Sequence, residues 1–141
     1  MIAGYVLPAD VTVLDESADN TPQGVLDSLK ALASLTGEER RSVAVLGPVA
    51  VESADPIEIR DEHDRIGRIV VRLNVKQLIV VGNDARHLFK AAELEGSWNG
   101  ESVLCQTLPE AYDLLRAEIR EGDVVLVKVP GLSARLTGAA A

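Results

Sequence analysis

Asp15, Glu16, Ser17, Asp19, Asn20 and Thr21 crowd into one short polar stretch between the apolar run Val11–Leu14 and Pro22. A polar loop just outside the carboxyl end of a strand is where open α/β sheets bind ligands, which makes this stretch the best candidate for function in the chain. The same residue types also build turns and caps. Thr21 followed by Pro22 reads as a helix N-cap with proline at the first helical position, where no amide partner is needed. Lys128 is the other group of interest, because it closes the apolar run Asp123–Lys128. A lysine there places its ammonium where anions bind, or lays its stem along the sheet and snorkels to water.

These groups need a frame, and the hydrophobic pattern supplies one. Val11–Asp15 reads as a strand, followed by a helix over Pro22–Ser34 with Val25, Leu26, Leu29 and Leu32 on one face and Gly37 as its stop. Ser42–Gly47 and Gln77–Gly82 are nearly continuous apolar runs, the pattern of strands covered on both faces. Gly47-Pro48 opens a long loop through Ile59 that carries Glu52, Asp55 and Glu58, and its length marks it as functional or mobile. Asp61–Asn74 predicts a helix with Ile66, Ile69, Val70 and Leu73 inward and His63 near its start, at the surface or capping. Asn83 is expected to cap a helix with Ala85, Leu88, Phe89 and Ala92 inward, His87 toward solvent and Gly96 beyond its end.

Ser97–Glu101 reads as a turn holding Trp98, and Ser102–Cys105 as a short strand. Thr107 and Glu110 form a capping box for a helix reaching Gly122. Asp123–Lys128 is the last strand, Val129–Gly131 follows it, and the tail Thr137–Ala141 is expected to fray.

Strand and helix thus alternate, giving five core strands and four crossover helices in one domain over residues 1–141. Right-handed crossovers make this a Rossmann-like, three-layer α/β fold with a mostly parallel sheet. Met1–Leu7 is expected to add a sixth strand, turning at Pro8–Asp10 into an antiparallel edge hairpin, since a three-residue connection cannot cross a sheet. Ligands of such sheets bind outside the carboxyl ends of the strands, where Asp15, Gly47 and Lys128 would converge.

Composition narrows the function. A net charge of −8 argues against nucleic acid or an anionic membrane surface as partner. Cys105 is the single cysteine, which excludes an intrachain disulfide framework and a thiolate metal cluster. No apolar run reaches the length of a membrane span and no signal-like segment opens the chain, so a soluble, cytoplasmic domain is expected. Neither the dinucleotide glycine fingerprint nor the Gly-Lys-Ser/Thr phosphate loop occurs. Any nucleotide bound here is held without a phosphate cradle from this chain.

Five stretches in order carry a family likeness: Asp15-Glu-Ser-Ala-Asp-Asn-Thr-Pro22, Val45-Leu-Gly47 with Val51-Glu-Ser53, Glu62-His63 with Ile66-Gly67, Val81-Gly82 with Ala85-Arg86, and Gly122 to Lys128. The chain resembles the C-terminal domain of the Mur ligases, nearest the branch that adds D-Ala-D-Ala in peptidoglycan synthesis. The resemblance implies one domain of a three-domain enzyme. An N-terminal domain would hold the UDP-muramoyl tripeptide, and a central domain the ATP phosphates, magnesium and acyl-phosphate chemistry. This domain would close over ATP on its adenosine side, through Asp15, Ser17, Asn20 and Thr21, and place the D-Ala-D-Ala amine near Lys128 and Gly131. It would supply no catalytic residue and no metal ligand, and be inactive alone.

Departures from the family pattern sit at the site: Ala18 replaces a tyrosine, Asp19 and Thr21 replace asparagines, and Val129-Pro130-Gly131 replaces Gly-Ser-Arg. The lost arginine removes a bidentate carboxylate donor. The alternative is therefore a stand-alone, non-catalytic binding module derived from that domain.

Overall fold

The structure is a computed structural model and describes residues 7–95 and 98–137. Its strands are β1 (Thr12–Asp15), β2 (Ser42–Leu46), β3 (Gln77–Val81), β4 (Glu101–Cys105) and β5 (Val124–Val127). They form one sheet in the order β1-β5-β2-β3-β4, and every pairing in it is parallel. The helices are α1 (Pro22–Thr36), α2 (Pro56–Arg72), α3 (Arg86–Glu93), α4 (Leu108–Glu118) and α5 (Leu132–Thr137).

The apolar runs become the central strands because helices cover both faces. β2, β3 and β5 are buried along their whole length. On one face Val25, Leu29 and Leu32 of α1, Ile66 and Val70 of α2, and Leu88 of α3 pack on Ala44, Leu78 and Leu126. On the other, Ala111 and Leu115 of α4 and Leu132 and Leu136 of α5 pack on Val45, Ile79 and Val125. The chain moves outward from β2 to β4 with its helices on the first face, then returns beneath the sheet through α4. A right-handed crossover in the reverse direction must use the opposite face, which is why β5 enters between β1 and β2 from below.

That return creates the crevice. The chain leaves β1 and β2 toward one face and β5 toward the other, so a topological switch point opens at the carboxyl end of β5. In register, Asp15 and Val45 both stand beside Val127. The expected convergence of the ends of β1, β2 and β5 is therefore a neighbour relation in the sheet.

Several expectations need correction. α2 begins at Pro56, because Asp55 caps it by accepting from the Ile57 amide at 2.9 Å and proline occupies the first turn. Asp55 and Glu58 thus serve the helix start, and the loop after β2 is shorter than expected. Asn83 makes no side-chain cap; Asn83–Ala85 form a short 3-10 turn before α3. His87 is half-buried rather than turned to solvent. α4 ends at Glu118, and α5 was not anticipated at all. The antiparallel hairpin requires residues 1–6, and the Gly96 stop and the tail from residue 138 are likewise outside the described residues.

Close packing of α2 on α3 depends on Gly67. A Cβ there would overlap the Leu88 carbonyl oxygen and crowd Ala91, so only glycine allows this approach.

Candidate functional site

The polar stretch 15–21 folds by repeating one local device. The Asp15 carboxylate accepts from the Ser17 amide at 3.0 Å and the Ser17 hydroxyl at 2.7 Å. The Asp19 carboxylate accepts from the Thr21 amide at 3.1 Å and the Thr21 hydroxyl at 2.7 Å. Each is an Asx turn, which short acidic side chains form readily. Thr21 then accepts from the Gly24 amide at 3.1 Å, so the second turn passes directly into the cap of α1.

The turns set the charge of the loop. The Ser17 hydroxyl and amide hold the Asp15 carboxyl below its usual range of 3.8, and Ser133 at the start of α5 adds to this. The Thr21 hydroxyl and amide do the same for Asp19. Asp15, Glu16 and Asp19 are exposed, so the loop is an anionic, acceptor-rich surface at the carboxyl end of β1.

Lys128 lies beneath this loop. It is 2 % exposed, which corrects the expectation that its ammonium emerges at the strand end. The Nζ donates to the Asp19 carbonyl at 2.6 Å and to the Ser28 hydroxyl at 3.0 Å. Ser28 in turn donates to the Gly24 carbonyl at 2.9 Å, which orients its lone pair toward the ammonium. Burial pushes the Lys128 pKa below its usual 10.5, while Asp19, Glu16 and Asp15 pull it back up. The reason for the inward turn is physical: a carbonyl and a hydroxyl replace part of the water the ammonium loses.

The loop after β2 joins from the other side. Asn20 offers its carbonyl to the Ala50 amide at 2.7 Å, and its side-chain amide reaches the Ser17 carbonyl at 3.4 Å. The neighbouring Val49 amide donates to His63 Nε2 at 3.0 Å, while Nδ1 lies 2.8 Å from the Ile59 carbonyl. Since Nε2 accepts, Nδ1 carries the proton and donates to Ile59. His63 is 2 % exposed, so it is a buried support for the loop rather than a surface or cap residue.

Asp15, Ser17, Asn20, Thr21 and Lys128 are thus gathered at one place. Gly131, at φ 87°, makes the turn into α5 on the opposite side of the sheet, two residues before Ser133. Two supports were missed from sequence, Ser28 and the buried role of His63. Both interrupt apolar stripes at helical spacing: Ser28 among Val25, Leu29 and Leu32, and His63 ahead of Ile66, Gly67 and Val70. That interruption was the available signal.

The donor set decides which ligand chemistry fits. The exposed carboxylates of Asp15 and Asp19, with the half-buried Ser17 hydroxyl beside them, suit hydroxyl and amino donors, such as those of a nucleoside. They do not suit a polyphosphate, for the loop's nearest cation is the buried, already bonded Lys128. Among the described residues, no group of three His, Cys, Asp or Glu side chains is placed to hold a metal ion. A concavity of about 390 Å³ lies at the opposite, amino edge of the sheet. Two of its cations are committed to structure: Arg40 donates to the Gly122 and Asp10 carbonyls, and Arg41 pairs with buried Asp123 at 2.6 Å. No helix among the described residues is long and apolar enough to cross a membrane.

Comparison with known proteins adds a family. The profile described as "Mur ligase, glutamate ligase domain" matches residues 5–130. A UDP-N-acetylmuramoyl-tripeptide–D-alanyl-D-alanine ligase of Mycobacterium leprae is 42% identical over 131 residues, which cover 84% of this chain and 25% of that protein. The enzyme of the same name from Mycobacterium tuberculosis is 41% identical over 134 residues, 84% of this chain and 26% of that protein. The chain therefore spans about a quarter of the length of the curated relatives it matches. Among solved structures, a crystal structure of MurF from Acinetobacter baumannii superposes with a TM-score of 0.66 at 17% identity, covering 97% of this chain and 29% of that one. At that identity the likeness is one of fold.

Proposed function

The chain belongs to the Mur ligase family, and from that premise we propose that it is the C-terminal domain of an ATP-dependent amide ligase of peptidoglycan-precursor synthesis. The reaction would join D-Ala-D-Ala to a UDP-muramoyl tripeptide in the cytoplasm. This domain closes over ATP and catalyses nothing alone; the N-terminal and central domains of the complete enzyme hold the tripeptide, the phosphates and magnesium. Asp15, Ser17 and Asn20 meet the adenosine side. Thr21 fixes the loop that carries them, and the turn at Gly131 shapes the approach for the dipeptide.

The observation that supports this most is the acceptor-rich loop 15–21 at the switch point beside β5. Ribose hydroxyls and an adenine amino group are donors, and ionised Asp15 has lone pairs beyond those used by Ser17. Nothing in the loop rewards a phosphate, so its contribution to ATP binding is to the nucleoside half.

The test is amide-resolved titration of the chain with ATP–Mg and, separately, adenosine. Shifts should map to residues 15–21 and 47–50, and adenosine should bind as tightly as ATP. Shifts confined to the amino edge of the sheet, with residues 15–21 unmoved, would refute the placement. A large preference for ATP would refute the division of labour.

A further inference from the structure

We infer that Lys128 is a positioning residue, whose buried ammonium sets the conformation of the loop 15–21 from beneath instead of meeting a ligand. The inference rests on the reading of that loop as the nucleoside side of the site. Its geometry is a series of stitches across three segments. Lys128 holds the Asp19 carbonyl at 2.6 Å; the next carbonyl, of Asn20, accepts from Ala50 at 2.7 Å; and the preceding amide, of Val49, donates to His63 at 3.0 Å. Two successive peptide units of the loop are thus bound to different neighbours, one to β5 below and one to the loop after β2 beside it. A loop tied at both units has little freedom to rotate its carboxylates.

Charge points the same way. Asp15, Glu16 and Asp19 all act on the Lys128 ammonium, and it lies below them rather than among them. Without it, three carboxylates of one short loop repel each other uncompensated and the loop opens. A ligand-binding lysine needs a path to solvent. Lys128 directs two of its three donors into the Asp19 carbonyl and Ser28 hydroxyl, and at 2 % exposure it has no such path.

The experiment compares the unaltered chain with Lys128→Met, which keeps the apolar stem, and with Ser28→Ala, which removes one partner and keeps the charge. Amide exchange at Thr21 and Ala50 should speed up by about tenfold or more in Lys128→Met, as expected for a lost charge-assisted hydrogen bond. Ser28→Ala should show a smaller change at the same amides, and Val45 and Ile79 in the central strands should not move in either variant. Adenosine affinity should fall in step with the exchange. In the unaltered chain, saturating ATP–Mg should leave the Lys128 ammonium resonance in place while residues 15–21 shift.

Unchanged exchange at Thr21 and Ala50 in both variants would overturn the inference. So would an ammonium resonance that titrates with ATP while the loop amides stay fixed. If the unaltered chain binds no adenosine, the nucleoside reading fails by itself, and the exchange pattern still decides whether Lys128 positions the loop.

Discussion

Replacing His63 with leucine keeps similar bulk in the slot between α2 and the loop after β2 and removes both ring nitrogens. Two hydrogen bonds are affected, and they are not equivalent. The Ile59 carbonyl lies in the first turn of α2, where a helical carbonyl also accepts from the amide four residues on, so it is not orphaned. The Val49 amide has His63 Nε2 as its partner, and Val49 is only 7 % exposed. An orphaned buried donor costs about 1–3 kcal/mol, so His63→Leu should lose that much stability, or about 3–10 °C in melting temperature for a chain of this size. His63→Gln should recover part of the loss, because a side-chain carbonyl can reach toward the Nε2 position. Thermal unfolding followed by circular dichroism measures the first quantity, and exchange at Val49 and Ala50 shows where the damage lies. A leucine variant as stable as the original would refute the argument. So would a glutamine variant as damaged as leucine with the Val49 amide still protected.

Gly67→Ala should destabilise the fold by roughly 1–3 kcal/mol, since the added methyl meets the backbone oxygen of Leu88, which cannot turn aside; denaturant midpoints would show it, and an unchanged midpoint would mean that α2 and α3 slide apart freely. Acid stability should report the Asx turns. The folded pKa of Asp15 lies below its usual 3.8, so its stabilising contribution is complete above that value and is lost as pH falls below it through the folded pKa. Asp15→Asn should therefore flatten the acid limb below pH 3.8 and leave the profile above it parallel to the original; an identical acid limb would show that the Ser17 contacts do not form in solution.

How much of this was legible in the chain depended on how local the cause was. Apolar runs such as Val43–Leu46 and Val124–Val127 announced buried strands, and Thr21-Pro22 announced a helix start, because each depends on neighbours a few residues away. Asp55-Pro56 carries the same signal, with Glu58 in the first turn, but it sits inside a polar stretch whose length suggests a loop. α5 has six residues and two inward leucines, too few turns for a period to stand out.

Alternation of strand and helix, read from sequence alone, determined the fold class and pointed to the carboxyl ends of the strands, since propensity and periodicity act over short spans of chain. The tertiary structure alone decided that the last strand is inserted between the first two, because strand order depends on which face each crossover covers. It also decided the fate of Lys128. A lysine at the end of an apolar strand is compatible with a ligand site or with burial, and the choice fell to partners 109 and 100 residues away, the Asp19 carbonyl and the Ser28 hydroxyl. His63 met the Val49 amide for the same reason: hydrogen-bond partners of buried polar groups are set by packing, and packing brings together residues whose distance along the chain carries no local pattern.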